Sequence, residues 1–531
     1  PQEHMDYAYD NGMTALALTD HGNANGLAYQ VLHAKKMQKE GRDFKPIFGC
    51  EAYFIPSVSN WKKDYELIKA NAKKKSEYVA DNSGTTVENE ESKKKIKSIL
   101  NRRRHLILLA QNQEGLKNIF KMISTSYVGD NFYRYPRVDY SLLKKYNKGV
   151  IAASACLGGV YAGNYWENRD AGPDAILQAM RKTTQKMQRI FGDRWYGELQ
   201  WNSIPEQHEL NQYIIQMHHE FGVELISTAD SHYYDPNVWK DRELYKRLGW
   251  LGKGKPDYLS DELPVSVEEI GYELYPKNGD QMWESYKNYS RDLGIEYDDK
   301  LILNSITRTS DIATNRIESF LPDNTVRLPD FIVPEGSTAA QTLAALCVEG
   351  ARSLGLADNL EYIGRLKNEV NVIESRGFSK YFLTMKAIAD MAVERQLVGP
   401  GRGSAAGSLV SYVLGITQVD PIRHGLQFER FLTKGGSGYP DIDYDVSDPM
   451  FLKKFLIEEW GDNTVVPITN WNTLQLRSLI KDISKFYGVE FAEVNNVTSK
   501  MVYEATPLAK KAHGITAGVY NPTFEELMIY S

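Results

Sequence analysis

Cysteine is scarce in this sequence: Cys50, Cys156 and Cys347 are the three among 531 residues. An odd, sparse set builds no disulfide framework and points to a reducing compartment, hence a cytoplasmic location. Long hydrophobic runs are missing as well; with no stretch of about 18 apolar residues, no membrane span is expected. Excess positive charge is absent, since 63 Lys and Arg against 69 Asp and Glu leave a net charge of −6. The total therefore withholds the overall basic signature of many nucleic-acid binders, although a local basic stripe suffices for such contact. The first ten residues are polar and mixed, unlike a signal peptide. No repeat at solenoid periods is present.

What remains is an ordinary soluble balance, 42% hydrophobic and 25% charged, in a chain long enough for three or four domains at about 150 residues each. The first part alternates strand and helix patterns. Apolar runs at 13–20 and 46–54 flank a helical stretch from Gly26 to Lys39, and further strand candidates are Leu106–Ala110, Val150–Ala153, Trp195–Leu199 and Leu225–Ala229. Several end in His, Cys, Asp or Glu, the placement of functional groups typical of α/β barrels. Residues 62–104 differ: Lys and Arg clusters interrupted by an acidic Ser/Thr-rich stretch read first as a solvated excursion, second as a phosphate-contacting arm. From 276 to 400 the pattern is mainly helical, and an amphipathic helix over Tyr381–Gln396 leads into a glycine-rich loop.

That loop, Gly399-Pro400-Gly401-Arg402-Gly403-Ser404, precedes a helical pattern from Ala405 to Gly415 with Ser404 as the expected N-cap. Glycines let backbone approach a phosphate, a helix N-terminus offers unpaired N–H groups, and Arg402 adds bidentate donors. The spacing is neither a P-loop nor a dinucleotide fingerprint, and a tight turn before a packed helix is an equal reading. Downstream, Asp441, Asp443 and Asp445 alternate with Ile442, Tyr444 and Val446, which in an extended strand places three carboxylates on one face. Such a cluster needs a cation, and hard oxygen ligands suit Mg²⁺. An EF-hand is ruled out, because its sixth and twelfth positions hold Val446 and Leu452.

The run 399–410, with Asp420-Pro421, Phe428-Glu429-Arg430-Phe431-Leu432 and Pro440-Asp441-Ile442-Asp443-Tyr444-Asp445, resembles the C-family DNA polymerases, the bacterial DNA polymerase III alpha subunits. The resemblance implies that Gly401, Arg402, Gly403 and Ser404 hold an incoming deoxynucleoside triphosphate. It makes Asp443 and Asp445 two of three catalytic carboxylates for Mg²⁺, and it puts Arg477 and Lys481 where a thumb meets primer-template DNA. Thr433-Lys434-Gly435-Gly436 departs from the family's Asn-Pro-Glu-Arg. The third carboxylate, the fingers and the sliding-clamp contact are expected beyond Ser531.

A dispersed set, His21, Glu51, His105, Cys156, Asp230 and His232, falls at strand ends and mixes imidazole, carboxylate and thiol. Each alone is weak; together, in this order, they resemble the metal-ligand positions of the polymerase and histidinol phosphatase (PHP) domain that opens the same polymerases. The resemblance implies Zn²⁺ or Mn²⁺ here and, in some members, a 3′→5′ exonuclease; the family's opening His-x-His strand is expected before Pro1. The expected architecture is thus multidomain α/β. It comprises a PHP-type distorted (β/α) barrel at 1–265, a polymerase β-like nucleotidyltransferase palm at 266–478 and the start of a helical thumb at 479–531. The alternatives are a stand-alone metal-dependent phosphoesterase and a non-catalytic replisome scaffold.

Overall fold

The short apolar runs of the first part become strands of one sheet. In the computed structural model these are β1 (Ala15–Leu18), β2 (Lys45–Phe54), β3 (Arg104–Ala110), β6 (Val150–Ala153), β7 (Trp195–Leu199) and β8 (Glu224–Ser227), with β4 (Phe132–Tyr133) and β5 (Tyr135–Pro136) forming a separate hairpin. The structure describes residues 1–81, 102–242, 274–325, 330–436, 438–461, 464–466, 468, 476–515, 526 and 529. The expected boundary at 265/266 lies outside them, as do residues 82–101 of the basic excursion.

Sheet order is β1-β2-β3-β6-β7-β8. β1 and β2 are parallel, as are β6, β7 and β8, while β3 runs antiparallel to both neighbours. This curled half-barrel therefore gathers on one rim the C-terminal ends of five strands and the N-terminal end of β3. Every residue of β6 and β7 is buried, which is why they read as continuous apolar runs rather than alternating ones. One face of the sheet packs Phe48, Leu106, Leu108 and Trp195 against amphipathic helices such as Gln113–Ser126 and Pro173–Phe191. The other face carries Ile47, Ile151, Tyr196 and Ile226 and is closed by Ile312 and Ile317 beside a π-helical turn. Lys45 fastens that turn, donating from Nζ to the carbonyls of Ala313 and Ile317.

The chain divides into two compact units, residues 1–323 with 474–531, and residues 324–473. The second is helical: Ala339–Ser353, Leu360–Ser375 and Ser379–Val393 enclose a core of Leu343, Phe382, Leu409, Val410, Phe428 and Ile442. Its only β-pairing among the described residues is an isolated antiparallel bridge, Val398 to Val446. Helices Leu476–Phe486 and Phe491–Ala512 pack on one another near the C-terminus. The whole is mixed α/β, and no described helix is long and apolar enough to cross a membrane.

Candidate metal and nucleotide sites

The rim explains how six residues spread over more than two hundred positions come together. His21 follows β1, Glu51 lies in the rim half of β2, Cys156 follows β6, and Asp230 and His232 follow β8. β3 is the reversed strand, so its rim residue is at its start: His105. Glu51 Oε1 stands 2.9 Å from His21 Nδ1 and 2.7 Å from His105 Nδ1. Cys156 Sγ is 3.5 Å from His105 Nδ1. The rings of His21 and His232 are 5.6 Å apart, and His232 Nδ1 lies 2.6 Å from the Asp230 carbonyl oxygen. The six therefore converge, with Glu51 as hub. Among the described residues, however, no three His, Cys, Asp or Glu groups adopt spacing that coordinates an ion.

Electrostatics at the hub favour charge. Burial opposes ionisation of Glu51, but hydrogen bonds from His105 and His21 overcome it and hold the carboxyl down at about 2. The hydrogen bond to Glu51 raises His21, whereas burial lowers His232 and pushes the Cys156 thiol well up. Imidazole, carboxylate and thiol in one polar pocket form a donor set that fits a borderline transition metal, whose charge would draw the thiol to thiolate. The carboxylate of Asp20 accepts from Gly26 N at 2.6 Å, just ahead of the helix Leu27–Lys39.

The rim holds one further buried carboxylate. Glu198, at the end of β7, is buried, with Oε1 accepting from Ala155 N (2.8 Å) and Oε2 from Thr228 Oγ1 (2.7 Å). Those two partners belong to the loops carrying Cys156 and Asp230, and both loops hold a non-glycine residue at positive φ, Ala155 at 60° and Asp230 at 50°. Its position at a strand end was the available signal, but a glutamate inside an apolar run reads as core.

In the second unit the glycine-rich loop and the aspartates lie against each other. Gly399 N donates to Asp445 O at 2.9 Å and Ser447 N to Leu397 O at 3.0 Å, pairing the two segments across the Val398–Val446 bridge. Gly403 has φ 66°, and a Cβ there would sit 2.2 Å from Asp443 Oδ2. The glycine is thus required by conformation and by space. Arg402 Nη1 is 3.3 Å from Asp445 Oδ1, and Arg402, Gly403 and Ser404 are exposed beside half-buried Asp443.

Asp441 to Asp445 are not in a hydrogen-bonded strand, yet the alternation survives: Ile442 is buried and Tyr444 donates to Ala389 O, while Asp441 and Asp445 face solvent. One expectation is corrected. Ser404 caps no α-helix; residues 404–407 form a 3₁₀ turn, and the helix Leu409–Val413 starts from Ser408, whose Oγ accepts from Ser411 N at 3.1 Å. The reason is buried Glu369, whose Oε2 takes bonds from Ser408 Oγ and Val410 N, both at 3.0 Å, and so moves the helix start four residues on.

Two family models match this chain: the PHP domain over residues 1–202, and the bacterial DNA polymerase III alpha NTPase domain over residues 341–523. Similar proteins include the DNA polymerase III alpha subunit of Aquifex aeolicus, 32% identical over 501 residues, covering 92% of this chain and 38% of that one. The subunit of Borreliella burgdorferi is 30% identical over 492 residues, covering 92% and 37%. That of Thermus aquaticus is 28% identical over 547 residues, covering 90% and 39%. Over about nine tenths of its length the chain is similar to DNA polymerase III alpha subunits, and it carries matches to both of these domain families. It spans less than two fifths of the length of these relatives.

Within that family setting, the remaining basic residues divide by their partners. Arg477 reaches Ser499 Oγ at 2.5 Å and Lys481 reaches Asn495 Oδ1 at 2.7 Å, so both heads are engaged by the neighbouring helix. Lys62 pairs with Asp130 and Arg104 with Glu167. At the departing Thr433–Gly436 stretch, Arg376 binds the carbonyls of Thr433 and Gly438, both at 2.6 Å, and clamps the ends of the loop.

Proposed function

We propose that the chain forms the PHP and palm portion of a replicative DNA polymerase, with a thumb beginning in the 476–512 helices. The observation that carries this reading is the contact of Gly403 with Asp443, which sets a phosphate-accepting backbone against a carboxylate. In the proposed reaction a primer 3′-OH attacks the α-phosphorus of a deoxynucleoside triphosphate; the new P–O bond forms as the bond to the pyrophosphate oxygen breaks. The loop 401–404 orients the triphosphate through its backbone and Arg402 guanidinium, contributing position rather than covalent chemistry. Asp443 and Asp445 would hold Mg²⁺, which when bound neutralises charge on the attacking and leaving oxygens.

At the rim, His21, Glu51, His105, Cys156, Asp230 and His232 would hold Zn²⁺ or Mn²⁺, and the site is assigned to hydrolysis of a 3′-terminal phosphodiester. In that hydrolysis water would add to the 3′-terminal phosphorus as its bond to the 3′ oxygen of the preceding nucleotide breaks, the water's proton passing to that oxygen; Glu51 and the histidines would hold the metal and orient the phosphodiester. Primer-template DNA and deoxynucleoside triphosphates are the proposed ligands, a sliding clamp the proposed partner through a region outside this chain, and the cytoplasm the proposed location.

The test is Asp443→Asn with Asp445→Asn in a chain of the relatives' full length. Loss of primer extension with 3′-end hydrolysis retained supports the assignment. Unchanged extension sinks it and leaves the stand-alone phosphoesterase, which the gathering of the rim residues in a unit with its own core otherwise favours.

A further inference from the structure

Beside the rim cluster lies a strip of aromatic and arginine side chains that the proposed chemistry does not use. The Tyr53 ring stacks on His21 at 15° and lies 5.7 Å from His105. Tyr135 meets Tyr53 edge-on at 5.8 Å, and the Arg103 guanidinium covers Tyr135 at 3.8 Å and Tyr53 at 5.3 Å. Tyr135 belongs to the β4–β5 hairpin, whose Pro136 packs on Gly22, next to His21. At the hairpin's turn Arg134 is exposed, held at φ 59° and set over the Tyr133 ring. Further along, exposed Phe132 and Tyr127 stack at 20° with centroids 5.7 Å apart.

The strip is rigid from beneath. Fully buried Arg137 donates to the carbonyls of Tyr133 (2.8 Å), Tyr135 (3.1 Å) and Arg102 (3.3 Å), and Tyr133 rests on Tyr65 and Trp61. A non-glycine residue at positive φ is strained, and such strain persists where the surroundings enforce it. Here it points a cation outward from an exposed turn between two aromatic surfaces. Aromatic faces with interleaved arginines are the combination that binds unpaired bases and backbone phosphates without sequence preference.

We propose that this strip, Tyr53, Arg103, Tyr127, Phe132, Arg134 and Tyr135, is a platform for single-stranded DNA that delivers an unpaired 3′ end to the rim cluster. The inference rests on the phosphodiester-hydrolase reading of that cluster. Bases stack on the Phe132–Tyr127 pair, phosphates meet Arg134 and Arg103, and Tyr53 sets the terminal nucleotide beside His21 and His105. Stacking on the strip requires bases free of a pairing partner, so it selects single strands over a duplex.

The test is anisotropy with fluorescent hexathymidylate and the 531-residue chain in chelator, where hydrolysis is silent. Phe132→Ala and Arg134→Gly each should weaken binding about tenfold, while Arg134→Gly raises the thermal midpoint by relieving φ, a change opposite in sign to its effect on binding. A 3′-terminal 4-thiothymidine should photocrosslink to the 127–135 strip or Tyr53. Unchanged affinities in both variants, crosslinks confined to residues 324–473, or equal affinity for a duplex of that length would overturn the platform. Because no metal is present, binding that persists while hydrolysis by the metal-loaded protein is never observed retires the hydrolase reading alone.

Discussion

The two candidate sites are held by different means. The rim cluster hangs on a ladder of strands: backbone pairing fixes the height of each strand end, so six side chains from five segments meet although none is adjacent in sequence. The glycine-rich loop and its aspartates have one isolated bridge between them. Their alignment depends instead on absent side chains at Gly399 and Gly403 and on one buried carboxylate, Glu369, that ties the next helix in place. A site built on a ladder should tolerate loss of one side-chain anchor; a site built on glycines and a single anchor should not.

The largest expected effect tests that contrast directly. Glu369→Ala leaves Ser408 Oγ and Val410 N without their acceptor and removes the carboxylate partner of Arg365, whose guanidinium keeps only the Gly407 carbonyl. Removing one member of such a buried network should cost about 3–4 kcal/mol, read as earlier urea unfolding of residues 324–473 by hydrogen exchange. Nucleotide affinity should fall with it. Retention of both would show that the loop is held by something other than Glu369.

Next in size is the matching carboxylate of the rim. Burial pushes Glu198 from 4.5 up to about 7. Between those values the folded chain keeps a proton that the unfolded chain has released, so stability declines as pH rises through the window and is level above it. The full decline is about 3 kcal/mol at 1.36 kcal/mol per unit. Glu198→Gln should remove this slope between pH 5 and 8 in metal-free protein. His21, raised by Glu51, also loses stability on the alkaline side, so the difference between variant and parent is the quantity to measure. Equal slopes in the two proteins would mean that Glu198 is not the titrating group.

How much of this was legible in the sequence follows the same divide. The strands, and the fact that His21, Cys156 and Asp230 follow their ends, could be read from apolar runs, because a buried strand leaves little choice of residue; Glu51 proved to lie inside β2, which runs on to Phe54. That β3 reverses and presents His105 from its start was readable only as position; the direction of a strand is a property of its long-range partners. Alternation of Ile442 and Tyr444 with Asp443 and Asp445 was readable and held without a sheet, since burial alone sets it. Ser404 was misread as a cap because Glu369, 35 residues earlier by numbering, draws the helix start to Ser408. Glu198 and Glu369 both lie inside apolar patterns, where sequence reads them as exceptions and structure reads them as anchors.

Gly403→Ala attacks the second site where it has no alternative. The new methyl at φ 66° meets Asp443 Oδ2, so the loop or the carboxylate must shift by about 1 Å, a displacement that commonly costs about a hundredfold in rate. Primer extension in a full-length chain should drop by that factor while 3′-end hydrolysis stays near the parent's; the positive φ should also lower the stability of residues 324–473 by about 1 kcal/mol. A parallel loss of hydrolysis would show that the two sites are not independent.

The smallest effect separates charge from placement within the loop. Arg402 and Asp445 are both more than half exposed, at 65% and 54%, so their ion pair should add less than about 0.5 kcal/mol to stability. Arg402→Ala should therefore leave unfolding unchanged. Triphosphate binding should weaken about tenfold through loss of charge-assisted hydrogen bonds, and the deficit should shrink at high salt as screening removes the parent's advantage. Arg402→Lys keeps the charge and loses the fork, so it should recover part of the affinity and most of the salt dependence. An Arg402→Ala chain that binds triphosphate as tightly as its parent would assign phosphate recognition to the glycine backbone alone and leave the guanidinium as the partner of Asp445.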